Sequence, residues 1–176
     1  PPLSPSLPNV VGMADRWVLQ RAGITNVYQY SDEVLEFAGG RLLLRGVNGS
    51  GKSTAMNMLL PFLLDANPRT LDAAGEQSGV LASWMLAGRD DAQPQGYLWI
   101  ELGDGMRHLA LGCGIRANRS TNRVTTWWFV TDRRPGLDLR LVEGRDTLSA
   151  DRLRDEIGAG AVYREDQRAA YRAEVR

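Results

Sequence analysis

Apolar positions between Arg16 and Phe37 fall in three short runs, RWVLQRAG, ITNVYQY and VLEF, rich in β-branched and aromatic residues and parted by turn formers. Three strands of an antiparallel meander are expected. After Gly39 and Gly40, RLLLRG is a continuous apolar run, the pattern of a buried strand. The period then changes. In STAMNMLLPFLLD, Ala55, Met58, Leu59, Phe62 and Leu63 recur at spacings of three and four, so they share one face of a helix. Pro61 should kink or end its regular part, with Asp65 to Pro68 closing it. From 66 to 95 the pattern weakens to a long excursion, in which LASWMLAG fits one or two helical turns.

Strand patterning returns with GYLWIEL, RHLALGCGIRA, VTTWWFVT and LDLRLVE, joined by GDG, a polar Asn/Arg/Ser/Thr loop and RRPG. These joints carry the turn chemistry of a second antiparallel meander. TLSADRLRDEIG predicts a helix with Ser149 as N-cap, Asp151 in its first turn and Gly158 as its stop. AVYR predicts a short strand. The helical EDQRAAYRAEV reaches the final residue without a stop signal, so a longer parent chain is expected. PPLSPSLPN, with four prolines in nine residues, predicts an extended leader over 1–14, which leaves 15–176 as the folded lobe.

At 43% hydrophobic and 24% charged residues the composition is that of one globular domain. Charge changes the picture little: 21 acidic and 21 basic residues cancel, so any contact with nucleic acid or an anionic membrane has to be local. One cysteine, Cys113, and one histidine, His108, exclude an internal disulfide and a structural zinc site. With no apolar run of about 20 residues and no secretory pattern at the N-terminus, a cytoplasmic protein without membrane association is expected.

Lys52 is the only lysine; the other 20 basic residues are arginine. It lies in GVNGSGKS, which matches G-x-x-x-x-G-K-[ST] with Gly46, Gly51, Lys52 and Ser53 at the fixed positions. A chance match in a chain of this length has a probability on the order of one percent. Holding a polyphosphate accounts for each residue type. Gly46, Gly49 and Gly51 let the backbone approach phosphates with positive φ, and the amides from Asn48 through Ser50 to Ser53 are expected to form an anion-binding nest. The helix start adds the positive end of its dipole. Lys52 supplies a compact charge between β and γ phosphates, where a wide guanidinium would not fit. Ser53 is the expected Mg²⁺ ligand, and Thr54 is expected to donate to an α-phosphate oxygen. The plain alternative is a glycine turn before a core helix.

GVNGSGKST resembles the Walker A of ABC-type heads, particularly those of chromosome-maintenance (SMC) proteins and MukB-type condensins. With RWVLQRAGITNVYQYSDEVLEF before it and GYLWIEL after it, the segment is similar to the N-terminal head of the SMC-like ATPase of Wadjet-type plasmid-defence systems. The resemblance covers about residues 16 to 175. It implies an α/β P-loop NTPase lobe, two antiparallel β segments around one strand, loop and helix unit. It also implies ATP and Mg²⁺ as ligands and Lys52 as the catalytic lysine. The implied partners are a C-terminal lobe of the same parent ATPase, a second head, accessory condensin-like subunits, and DNA through the assembled complex. The chain departs from the pattern in having no LSGGQ-like signature, no Walker B acid pair and no convincing Q-loop glutamine. Half of a composite ATPase, binding nucleotide and hydrolysing it only with the second lobe, is the expectation. The alternative is a self-contained P-loop hydrolase or phosphotransferase, for which Asp132, ending WWFVTD, is the one candidate acid.

Several residues keep two readings each. Arg16, Arg21, Tyr28 and Tyr30 are candidates for the base or ribose side of a nucleotide, or ordinary strand residues. Arg69 and Arg89 stand near the phosphates or merely in the excursion. Arg116, Arg119, Arg123, Arg133 and Arg134 form a DNA-contacting patch or a solvated rim. Trp127 and Trp128 point to opposite faces of a strand, one to the core and the other to a partner. His108 and Cys113 are read as packing residues, and the acidic pairs Asp32/Glu33 and Asp90/Asp91 as turn residues.

Overall fold

The computed structural model describes residues 16–67, 79–144 and 146–176. The expected leader over 1–14, Arg69 and the middle of the excursion lie outside them.

Six strands form one antiparallel sheet: β1 (Val18–Val27), β2 (Tyr30–Glu36), β3 (Gln95–Gly103), β4 (His108–Asn118), β5 (Arg123–Thr131) and β8 (Val162–Arg164), in the order β2-β1-β3-β4-β5-β8. The fold is therefore mixed α/β around an antiparallel sheet. One face is covered by α1 (Lys52–Asp65), α2 (Val80–Leu86) and α4 (Arg168–Val175), the other by residues 135–157, which include the two-residue strands β6 (Val142–Glu143) and β7 (Asp146–Thr147) and the helix α3 (Ala150–Ile157).

The period of two along the strands sorts the core. Ile24, Leu98, Ile100, Leu111, Cys113, Ile115 and Trp128 meet the helices, where all five apolar positions predicted for one face of α1 are buried. Tyr97, Trp99, Trp127 and Phe129 face the other way, under Leu139, Leu141, Leu148 and Leu153. Glycines make that second layer fit. A Cβ on Gly23 would lie 2.1 Å from the Trp99 indole, one on Gly112 2.2 Å from the Phe129 ring and one on Gly114 2.0 Å from the Trp127 indole. Each is the cross-strand partner of the aromatic it admits.

Several expectations are corrected. RWVLQRAG and the first half of ITNVYQY form the single strand β1, because Gly23 receives a tryptophan instead of breaking the ladder, and Tyr28 and Gln29 then turn the chain into β2. Since β1 pairs with both β2 and β3, the two meanders are one sheet and do not flank a separate strand. RLLLRG forms no strand: both edges of β1 are occupied, 42–47 carry no ladder, and Leu43 is 73% exposed. LDLRLVE leaves the sheet as well, burying Leu139 and Leu141 over the aromatics. Trp127 is therefore core like Trp128, not an outward contact. Asp32 and Glu33 lie within β2. The first helix runs through Pro61 to Asp65, sustained by the full burial of Phe62 and Leu63 just beyond it. Its last rung is closed by the Ala66 N–H on the Phe62 carbonyl, 2.9 Å.

The predicted C-terminal elements are present. Ser149 caps α3 by accepting from the Arg152 N–H at 3.3 Å, Gly158 ends it, and AVYR becomes β8 beside β5.

Candidate functional site

The glycine-rich loop sits at the end of the sheet where the β1–β2 hairpin turns. Gly49 and Gly51 both have φ of 84°, a left-handed conformation that favours glycine, whereas Gly46, expected to share it, has no positive φ. Lys52 opens α1 directly behind Gly51, and the Ala55 N–H bonds the Gly51 carbonyl at 2.8 Å. No side chain caps this helix start and no acidic residue stands in its first turn. Main-chain N–H groups and the positive dipole end are thus presented without a built-in anion.

The Lys52 side chain turns back into the loop. Its Nζ donates to the carbonyls of Gly46 and Val47, 2.8 Å each, and to the Ser50 hydroxyl at 3.2 Å. A Cβ on Gly46 would lie 2.7 Å from Ser50 Oγ and 3.8 Å from Lys52 Cδ, so that glycine keeps the lysine's seat clear. The expected ring of amides from Asn48 to Ser53 is interrupted once: the Ser50 N–H bonds the Val47 carbonyl at 3.3 Å, closing a turn. Asn48, Gly49, Ser50 and Ser53 are exposed and Thr54 is half-buried, so the residues named for nucleotide and Mg²⁺ border one loop and one helix turn.

The hairpin tip holds this loop. Tyr30 Oη donates to the Gly51 carbonyl at 3.2 Å and Gln29 Nε2 to the Ser50 carbonyl at 3.4 Å. Beneath the loop a cavity of about 240 Å³ is lined by Ile24, Tyr30, Glu33, Leu35, Leu44 and Lys52 among others. Tyr30 therefore supports the loop from below, and Tyr28 packs edge-on against Trp84, ring centres 6.2 Å apart. Arg89 points at hairpin carbonyls, and burial pushes its guanidinium below the ordinary arginine range against the raising effect of Asp91.

A second polar cluster, which the sequence reading missed, lies six residues down β1, roughly 20 Å away at strand spacing. Glu101 is fully buried between Arg21, which donates from Nε at 3.2 Å and also from Nη2, and Arg134, whose Nη2 is 2.8 Å away. Burial pushes its carboxyl up, but the bonds and charges of Arg21 and Arg134 outweigh this and hold it below the usual carboxylate range. His108 Nδ1 lies 3.7 Å from Glu101 Oε1. A signal was available: in GYLWIEL the glutamate shares parity with Tyr97 and Trp99, so it had to enter the same layer and find partners.

That cluster removes Arg21 from the nucleotide candidates, and Arg16 lines a hollow of about 450 Å³ at the same far end. Asp132 belongs there too: Glu101, Ala110 and Thr131 are successive cross-strand partners, and Asp132 is exposed one residue beyond. The five arginines proposed as one patch are split between the two ends of β5 and largely engaged. Arg116 bonds Gln95 at 2.8 Å, Arg119 bonds main-chain carbonyls, Arg133 bonds Glu156 and Arg134 bonds Glu101. Cys113 is buried against the helices, where desolvation raises its thiol pKa.

No protein-family model matches the chain, and no curated protein is significantly similar to it. Among the described residues no group of three or more His, Cys, Asp or Glu side chains is arranged to hold a metal ion. No described helix is long and apolar enough to cross a membrane.

Proposed function

We propose that this chain binds Mg·ATP through Gly46–Thr54 as the Walker A half of a composite SMC-like ATPase. The carrying observation is the uncapped start of α1 behind two left-handed glycines, with the sole lysine turned into the loop. The residues suit a polyphosphate: main-chain N–H groups and one ammonium would meet it, Ser53 would offer a hydroxyl to Mg²⁺, and the ion would supply charge neutralisation at the phosphates. On binding, Lys52 exchanges carbonyl acceptors for phosphate oxygens without leaving the loop.

The exposed apolar run at 42–47 supports the composite reading. Its backbone is free of any ladder, and a C-terminal lobe of the parent ATPase would add strands there and bring the missing acids. Engagement with a second head, with accessory condensin-like subunits alongside, would then couple ATP to DNA handling, the extrusion of foreign circular DNA being the role we favour. For a self-contained hydrolase the candidate acid Asp132 lies at the other end of the sheet, while Glu33, an exposed residue of β2, lines the cavity that Lys52 also lines.

Isothermal titration with Mg·ATP, wild type against Lys52→Ala, tests the seat; hydrolysis assayed with and without the matching C-terminal lobe tests the division. Binding that needs Lys52, and turnover only on mixing, is the expected result. Equal affinity in the two proteins, or full turnover by the chain alone, would end the proposal.

A further inference from the structure

We infer that Arg89 is a positioning residue for the glycine-rich loop, acting through the β1–β2 turn that it gathers and that in turn holds the start of α1. The effect on nucleotide affinity rests on the function proposed above; the effect on loop geometry does not.

The turn is one that needs holding. Asn26 and Tyr28 have φ of 54° and 55°, a conformation that L side chains rarely adopt. Three contacts fix it from the side of α2. The Tyr28 N–H donates to the Trp84 carbonyl at 3.0 Å, the two rings pack edge to face, and the Arg89 guanidinium spreads across the turn. Its Nη2 donates to the carbonyls of Tyr28 and Tyr30 at 3.2 and 3.5 Å, and its Nη1 to that of Asn26. A planar fork with five N–H donors serves several carbonyls at once, which a lysine cannot match. Arg89 is itself anchored, because Arg119 donates to its carbonyl and to those of Leu86 and Asp91.

From the turn the connection reaches the loop by two side chains. A trans peptide is planar with its C=O and N–H opposed, so fixing one aims the other. Gln29 on the Ser50 carbonyl orients the Gly51 N–H, and Tyr30 on the Gly51 carbonyl orients the Lys52 N–H. These are two of the amides expected to meet phosphate. Arg89 touches neither the loop nor Lys52 among its bonds, which makes it a positioning residue and not a ligand.

A double-mutant cycle tests this with Arg89→Ala, Tyr30→Phe and the pair. Amide hydrogen exchange is read over 46–55 with 109–117 of β4 as internal reference, alongside binding of a fluorescent ATP analogue. Each single change is expected to raise exchange at 46–55 about 2- to 10-fold, the range for one lost hydrogen bond, and to weaken the analogue by a similar factor. The β4 reference should stay unchanged and the double variant should be no worse than the stronger single one. Arg89→Lys should fall between wild type and Arg89→Ala, and it carries the same cycle if the alanine variant does not fold. Unchanged exchange at 46–55, an equal rise in β4, or additive single effects would overturn the inference. Wild-type protein that fails to bind the analogue sinks the nucleotide reading while the exchange cycle still decides this one.

Discussion

Glu101→Gln removes one negative charge from a fully buried position and leaves two guanidinium groups facing an amide. Losing one partner of a buried ion pair typically costs about 3–5 kcal/mol. Two features place this substitution at the lower end. Arg21, only 9% exposed, keeps its bond to the Pro135 carbonyl at 3.1 Å and its stacking over Trp99 at 5.2 Å. Arg134, with its side chain 31% exposed, can regain water. A loss of about 3 kcal/mol follows, which for a domain of this size lowers the thermal midpoint by roughly 6–12 °C.

Urea unfolding followed by tryptophan fluorescence measures it, and its pH dependence supplies a second check. The folded pKa of Glu101 lies below its unfolded value, so its contribution is fully present above the ordinary carboxylate range and is lost as pH falls through the lowered folded value. Wild type should therefore lose more stability than Glu101→Gln between about pH 5 and pH 3. Replacing the pair by Glu101→Leu with Arg21→Met should cost less than Glu101→Gln alone, since the deeply buried guanidinium is removed and only Arg134, with its side chain 31% exposed, loses its carboxylate. A Glu101→Gln protein within about 1 kcal/mol of wild type, with the same acid slope, would refute the view of this cluster as a mutually dependent buried network.

Lys52→Ala should weaken Mg·ATP about 10- to 150-fold by calorimetry, the value of one charged hydrogen bond, while changing stability in urea by less than about 1 kcal/mol because its present bonds are exposed. Gly114→Ala should cost about 1–3 kcal/mol in thermal unfolding, since its methyl would meet the Trp127 indole at 2.0 Å; a neutral outcome would mean the second aromatic layer is loosely packed. Tyr171→Phe removes the hydroxyl that meets the Leu63 carbonyl at 2.8 Å, so about 0.5–1.5 kcal/mol should disappear in urea titration, and an unchanged midpoint would count against that bond.

Legibility in the sequence followed the range of the interaction. The capped helix at Ser149, the buried face of α1 and the strands β3, β4 and β5 were readable because period and caps are local. The glycine-rich loop was readable for the same reason, down to the positive φ at Gly49 and Gly51, though not at Gly46. What failed depended on distant neighbours. Gly23 looked like a strand breaker until Trp99, 76 positions on, is placed over it. Arg21 looked like a nucleotide contact, yet its partner Glu101 comes from another strand. Tyr30 and Arg89 were singled out as possible ligands, but their acceptors are main-chain carbonyls, which carry no sequence signal.

RLLLRG is the most instructive discrepancy. An apolar run encodes a wish for burial on both faces, not the identity of what buries it. Inside the described residues β1 and β3–β5 have both edges paired, the three-residue edge β8 lies at the opposite side of the sheet from β2, and β2 is an acidic edge carrying Asp32, Glu33 and Glu36, an arrangement that discourages further pairing. With no strand to accept it, the run stays uncovered at Leu43 and Val47, while Leu44 tucks into the cavity under Lys52. Under the proposed function, the strand that would complete 42–47 and the acids that would complete the chemistry arrive together, so nucleotide turnover and the burial of Leu43 become one event.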